Sequence, residues 1–282
     1  MLSPSEQVML PEAELSICSW NVNSLKVRFE QLKALLETQR WDIICLQETK
    51  MTDDRFPYEA LRGLGYHAFH IGQPTYNGVA ILARLDRFQD MKLVQSQLPE
   101  LDDPQQRFML AQIDDLLIAC AYVPNGQAVD SDKFQYKLNW LDKLHRFLSH
   151  SDLCRRPFAL LGDFNIAPQD IDVHDAELWR NQVLCTSEER SRFQGLLDLG
   201  LKDCFRHVEP LSRVYSWWDY RQLAFQKNKG LRIDHILISQ PLVPSLLSCE
   251  IVRQARKAEK ASDHAPVVAR LSRQFTSDRP LI

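Results

Sequence analysis

The chain has 282 residues, 45% of them hydrophobic and 25% charged, with a formal net charge of −3; this ordinary globular composition excludes a low-complexity or disordered chain. No apolar run approaches the roughly 18 residues of a membrane span, and the opening stretch MLSPSEQVMLPEAE has no basic segment ahead of an apolar core, so no secretory leader is expected. The near-neutral charge decides neither for nor against nucleic acid, because acidic catalytic groups can mask a basic binding face.

Residues 1–14 read as a loose tail. LSICSWNV (15–22) is the first predicted strand, followed by helical spacing from Ser24 to Arg40 with Val27, Leu32, Leu35 and Leu36 apolar. WDIICLQE (41–48) is a second strand, YHAFHIG (66–72) and GVAILA (78–83) an antiparallel pair, and RFMLAQI (107–113) with LLIACAYV (116–123) a hairpin across Asp114 and Asp115. Ser131 suits the cap of a helix running to His150, with Phe134, Leu138, Leu141 and Leu148 on one face. FALLG (158–162) is the next strand. TSEE (186–189) has the Thr-x-x-Glu spacing of a capping box and opens a helix that ends at Gly200. RIDHILIS (232–239) and APVVARL (265–271) are the closing strands, and 273–282 is a second tail. Strands interspersed with helices and hairpins point to an α/β domain with mixed sheets. The seven cysteines lack CxxC spacing, and Cys18, Cys45 and Cys120 lie inside apolar strands, where cysteine acts as a small hydrophobe. A reduced, cytoplasmic protein without a zinc site is the expectation.

Polar residues recur where these strands end. ICSWNVN finishes on Asn21 and Asn23, IICLQETK on Glu48, LIACAYVPNG on Tyr122 and Asn125, and ALLGDFN on Asp163 and Asn165. GLRIDHILIS carries Asp234, and ASDHAPVVARL opens with Asp263 and His264. Each has an ordinary explanation alone: Asn and Asp are turn formers, Glu48 a solvated charge, Tyr122 a core aromatic, His264 a surface histidine. Together they supply what metal-assisted phosphodiester hydrolysis needs, namely hard oxygen ligands for Mg2+, a carboxylate and amide to orient water, and donors for charged phosphate oxygens.

The segments SWNVNSLKVR, DIICLQETK, NGVAIL, AYVPNG, LLGDFNIAP, YSWWDYR, NKGLRIDHIL and SDHAPV follow one another within residues 16–270. In this order the chain resembles the exonuclease III family of apurinic/apyrimidinic (AP) endonucleases, within the exonuclease–endonuclease–phosphatase superfamily. The resemblance implies a four-layer α/β sandwich, two packed mixed β-sheets flanked by helices, as one domain over 15–272. It implies a Mg2+-dependent repair nuclease, with Mn2+ a possible substitute. Such an enzyme cleaves duplex DNA 5′ to abasic sites and removes 3′ blocking groups or nucleotides. It would act as a monomer, away from membranes, in the nucleoid-bearing cytoplasm.

By the same resemblance, Glu48 is the principal Mg2+ ligand, with Asn21 and Asp263 on the metal side and Asp163, Asn165 and His264 also among the metal-binding residues. Asp163 orients and deprotonates water, Asn165 stabilises the pentavalent phosphate, and His264, held by Asp234, binds a non-bridging oxygen that Tyr122 also contacts. Asn23, Asn125, Trp217 and Arg232 are expected to face DNA, while Trp218 has no assigned role. One departure stands out. The family has Asn-x-Asn-Gly in its first motif, where this chain has Ser24, a residue suited to a helix N-cap. The alternatives are a superfamily phosphodiesterase acting on phosphoinositide or sphingomyelin, and a non-catalytic nucleic-acid-binding relative. WWDYR and NKGLRID favour DNA over the first, and the intact catalytic positions disfavour the second.

Overall fold

The computed structural model describes residues 14–273; the proposed tails lie outside these residues, except that Glu14 already belongs to the first strand and Arg273 donates to the Arg87 carbonyl at 3.1 Å. In chain order the strands are β1 (Glu14–Asn21), β2 (Ile43–Gln47), β3 (Tyr66–Ile71), β4 (Val79–Arg84), β5 (Met91–Gln95) and β6 (Phe108–Ile113). There follow β7 (Leu116–Tyr122), β8 (Phe158–Asp163), β9 (Leu201–Asp203), β10 (Asp234–Ser239), β11 (Leu246–Ile251) and β12 (Val267–Ser272). They form two six-stranded sheets, ordered β11-β12-β1-β2-β4-β3 and β5-β6-β7-β8-β10-β9. Each sheet is mixed: β1 runs parallel to β2, and β7 parallel to β8. A parallel pair needs a crossover. Helix α1 (Leu25–Gln39) supplies the first and α3 (Asp132–Ser149) the second.

The layers follow from the two-residue period of strand side chains. Along β1, Leu15 and Ile17 enter the core between the sheets, whereas Cys18 and Trp20 face the outer layer made by α1 and α2 (Tyr58–Gly63). Along β8, Ala159 and Leu161 point between the sheets, and Phe158 and Leu160 face α3 and α4 (Ser187–Asp198). Two helical layers thus enclose two sheets, the expected four-layer sandwich. Among the described residues no helix is long and apolar enough to cross a membrane, and all seven cysteines are free thiols.

Ser131 caps α3 by accepting from the Phe134 amide, and the Thr186–Glu189 capping box forms at α4. Ser24 behaves otherwise than expected. It makes no side-chain cap hydrogen bond and takes φ 86° and ψ 103°, in the positive-φ region that suits glycine. Its amide instead donates to the Glu48 carbonyl at 2.8 Å, docking the start of α1 onto the end of β2. The serine therefore keeps a glycine-like turn at a cost in strain. Ser24→Gly is expected to raise the unfolding free energy by roughly 0.5–1 kcal/mol, the strain relieved less the entropy of glycine. Urea denaturation measures this, and a loss of stability would contradict it.

Val27 also departs from its expected apolar face, being 48% exposed. Strands β5, β9 and β11 were not expected. β5 and β9 close the edges of one sheet and β11 an edge of the other, and in β5 and β11 most residues are half-buried or exposed, so the apolar alternation is weak.

Candidate active site

The strand-end polar residues continue the stripe that packs the two sheets together. Ile17 leads through Ser19 to Asn21, Ile118 through Cys120 to Tyr122, Ala159 through Leu161 to Asp163, and Ile236 back to Asp234. At the same end of both sheets, each inward stripe changes from apolar to polar. Register aligns them: Asp163 lies opposite Tyr122 on β7 and opposite Asp234 on β10. The chain then leaves the strands through residues with positive φ, at Asn23 (43°), Glu48 (55°), Lys50 (54°) and Asn165 (50°). Backbone of this kind is costly and gathers at functional sites.

Asn21 is the hub between the sheets. Its Nδ2 donates to Glu48 Oε1 at 2.8 Å and to Asp163 Oδ2 at 2.9 Å, while its Oδ1 accepts from the Asn23 amide. Lys50 Nζ lies 2.9 Å from Glu48 Oε2 and also donates to Asn23 Oδ1. Asn23 Nδ2 donates to Asp263 Oδ1, and Trp217 Nε1 to Asp263 Oδ2 at 3.0 Å. On the other side, His264 Nδ1 is 2.9 and 3.1 Å from the two Asp234 oxygens, and its Nε2 is 3.8 Å from Asp163 Oδ2. Ser216 Oγ accepts from the Ile233 and Asp234 amides and so fixes the start of β10.

Asp163 is both a turn residue and a site residue. Its Oδ1 accepts from the Asn165 amide at 2.9 Å, which is the local turn bond, and its Oδ2 faces Asn21 and His264. Asn165 donates through Nδ2 to the Val123 carbonyl and accepts at Oδ1 from Asn125. Tyr122 is nearly buried, with the Arg107 guanidinium 4.5 Å above its ring.

These surroundings set the proton positions. Burial, and secondarily Asp234, push Asp163 up to about 7 despite the nearby imidazolium. Burial works against the charge of His264, but Asp234 and Asp163 overcome it and hold the ring protonated, at about 10. Burial raises Glu48 too, yet Lys50, the Asn21 amide and His264 outweigh it and keep the carboxyl below its usual range. Burial and then Glu48 push the Tyr122 phenol well above its usual range, so it is a donor.

Among the described residues, two places offer ligands to a cation. Asp163, Asp234 and His264 present donor atoms within 4.8 Å of one another, but the imidazole there is bonded to Asp234 and carries its proton. Glu48 offers a hard oxygen donor in a carboxylate held ionised, and hydrogen bonds run from it through Asn21 and Asn23 to Asp263. That chemistry fits Mg2+.

Of the residues expected to face DNA, Asn125 is exposed and Asn23 and Trp217 are half-buried beside Asp263. Arg232 is a correction. It is 1% exposed, and its guanidinium is spent on Asp172 at 2.7 Å, Asp203 at 2.7 Å and His235 at 2.9 Å. It is an internal clamp between β10, β9 and the 170–173 turn, out of reach of any ligand. Trp218 packs with Tyr215, Ala224 and Ala265 in an apolar cluster. Sequence reasoning passed over Lys50, Arg107, Ser216 and Lys137. Lys137 had a readable signal, a cation three residues after Phe134 on the apolar face of α3, where lysine is almost never buried without a partner.

Two clefts flank the cluster. One, of about 840 Å³, is lined by Lys26, Phe29, Lys50 and Arg55, among others; the second, of about 550 Å³, is lined by Tyr122, Asn125, Arg107 and Lys133, among others.

Known proteins resemble the chain throughout. Residues 18–264 match the profile described as the Endonuclease/Exonuclease/phosphatase family. The chain is 37% identical over 268 residues to the exodeoxyribonuclease III of Haemophilus influenzae, covering 90% of this chain and 99% of that protein. Among solved structures, a 3′ phosphatase from Neisseria bound to a product DNA hairpin is 44% identical with a TM-score of 0.86, covering 92% of this chain and 99% of that one. An AP endonuclease from Archaeoglobus fulgidus is 34% identical with a TM-score of 0.86, over 90% of this chain and 98% of the other.

Proposed function

The chain belongs to the Endonuclease/Exonuclease/phosphatase family as a hydrolytic DNA-repair nuclease of the exodeoxyribonuclease III type, and from that premise we propose that Mg2+ is its cation and that damaged duplex DNA is its substrate. It removes 3′ blocking groups and 3′ nucleotides, and it incises on the 5′ side of abasic sites. The observation that carries this reading is the meeting of Asp163, Asn165 and the Asp234–His264 pair at one end of both sheets.

In this reading Asp163 binds water and takes its proton, a task suited to a carboxylate raised to about 7. The water oxygen forms the new bond to phosphorus, the ester bond to the leaving oxygen breaks, and that oxygen takes a proton from solvent. His264, charged and aimed by Asp234, donates to a non-bridging oxygen together with the Tyr122 phenol and the Asn165 amide. When bound by Glu48 with Asn21 and Asp263, Mg2+ supplies positive charge beside the phosphate. Because groups from both sheets must act together, residues 15–272 work as one domain, and a monomer suffices.

The 44%-identical Neisseria protein, described in one structure as a 3′ phosphatase and in another as a 3′-5′ exonuclease, favours 3′ ends as the main substrate. The 34%-identical AP endonuclease supports incision as a second activity. End-labelled duplexes carrying a 3′-phosphate, a recessed 3′ end or an abasic site separate these, with 3′-phosphate removal expected to be fastest. Inertness toward all three, with turnover of an inositol phosphate instead, would overturn the reading.

The flanking clefts carry Lys26, Arg55, Arg107 and Lys133, which suit a phosphate backbone. Binding to a DNA hairpin, measured with a cleavage-dead variant, is therefore expected to weaken by roughly 10–10²-fold over a fourfold rise in salt, despite the net negative charge. A flat titration would count against DNA.

A further inference from the structure

We propose that Lys137 is a positioning residue for this chemistry: its buried ammonium ties together the backbone carbonyls of Asn125 and Asn165 and thereby sets where Asn165 presents its side chain. The inference rests on the nuclease reading above. Lys137 is 0% exposed on the inward face of α3. Its Nζ donates to the Asn165 carbonyl at 2.6 Å, to the Asn125 carbonyl at 3.2 Å and to Glu189 Oε1. An ammonium has three donors, and all three are used.

Glu189 is equally buried and equally committed. Besides Lys137, its carboxylate accepts from the Leu184 amide at 3.0 Å and from the Thr186 amide and hydroxyl at 2.9 and 2.7 Å. One ion pair therefore fastens three segments: the turn after β7, the turn after β8, and the entry to α4. The first two carry Asn125 and Asn165. Their side chains also meet, with Asn125 Nδ2 donating to Asn165 Oδ1 at 3.0 Å. Asn165 sits at φ 50° and Gly126 at φ 94°, and a Cβ on Gly126 would lie 3.2 Å from Lys137 Cδ. The lysine stem thus fills the space that the strained turn leaves.

Stability alone does not explain the arrangement. A buried ion pair is often no better for folding than apolar residues of similar size. What apolar residues cannot do is hold two carbonyls at a fixed point. Removing the ammonium frees the Asn165 turn to shift, and a displacement of about 1 Å near reacting atoms can cost 10²-fold in rate.

The charge-neutral pair Lys137→Met with Glu189→Gln tests this, alongside Lys137→Arg, on a hairpin carrying a 3′-phosphate, with melting temperature, kcat and KM recorded for each. The expected result is a folded double variant whose kcat falls by about 10–10²-fold with KM nearly unchanged, and substantial recovery in Lys137→Arg. A purely structural role lowers the melting temperature and leaves kcat of the folded protein alone, and that result would overturn the proposal. Should the double variant not fold, Glu189→Asp keeps both charges and shortens the tether by one methylene. It must then lower kcat without raising KM, and wild-type kcat there would overturn the proposal as well. A wild-type protein inactive on all DNA would instead refute the nuclease reading itself.

Discussion

Asp163→Asn is expected to lower single-turnover cleavage of a DNA hairpin bearing a 3′-phosphate by about 10²–10⁴-fold, the usual worth of general base catalysis. The substitution conserves shape. It removes the proton acceptor, and it removes the carboxylate 3.8 Å from His264 Nε2. Its structural cost is limited. Asp163 now accepts from the Asn165 amide through one oxygen and from Asn21 through the other, so an amide leaves one donor facing a donor. That mismatch costs about 1–3 kcal/mol, partly offset because a carboxylate whose ionisation burial opposes is replaced by a neutral group. If Gly-Asp-Phe-Asn were only a turn, the melting temperature would fall and turnover per folded molecule would stay near normal.

The second large effect concerns the cation. Glu48→Gln is expected to lose about 10²-fold or more of activity at low Mg2+, corresponding to the several kcal/mol a metal gives to phosphoryl transfer. A neutral amide is a poorer ligand for a hard cation. The change also leaves Lys50, now 2.9 Å from the carboxylate, as unbalanced positive charge beside the proposed cation site. Raised Mg2+, or Mn2+, should restore part of the loss, because the other oxygen donors remain. Activity that follows the wild-type curve at every Mg2+ concentration would remove Glu48 from the metal site.

Most of the candidate site was legible because of one rule. Strand side chains alternate, so a polar residue ending an inward stripe must face the space between the sheets. Asn21, Tyr122, Asp163 and Asp234 all obey it. The supporting residues were hidden because their partners are distant in sequence. Lys137 meets Asn165 and Glu189 only once α3, β8 and α4 have packed. Arg232 shows the same limit from the other side. The family resemblance implied a DNA-facing cation, but its carboxylate partners come from Asp172 and Asp203, elsewhere in the chain. Ser24 misled through chemistry: serine is a good cap in extended backbone, and the turn onto Glu48 demands positive φ instead. Edge strands β5 and β11 escaped because half-exposed strands lack a clean apolar period.

The strand-end cluster is proposed to hydrolyse phosphate esters on DNA. Phosphate release from a hairpin with a 3′-phosphate tests it most directly, measured with Mg2+ and with chelator for the wild-type protein and for Asp163→Asn, beside a melting curve of each. Release by the wild type with Mg2+ alone, and its near-complete loss in a folded Asp163→Asn protein, is the predicted result. A stable Asp163→Asn protein that releases phosphate at the wild-type rate would contradict it.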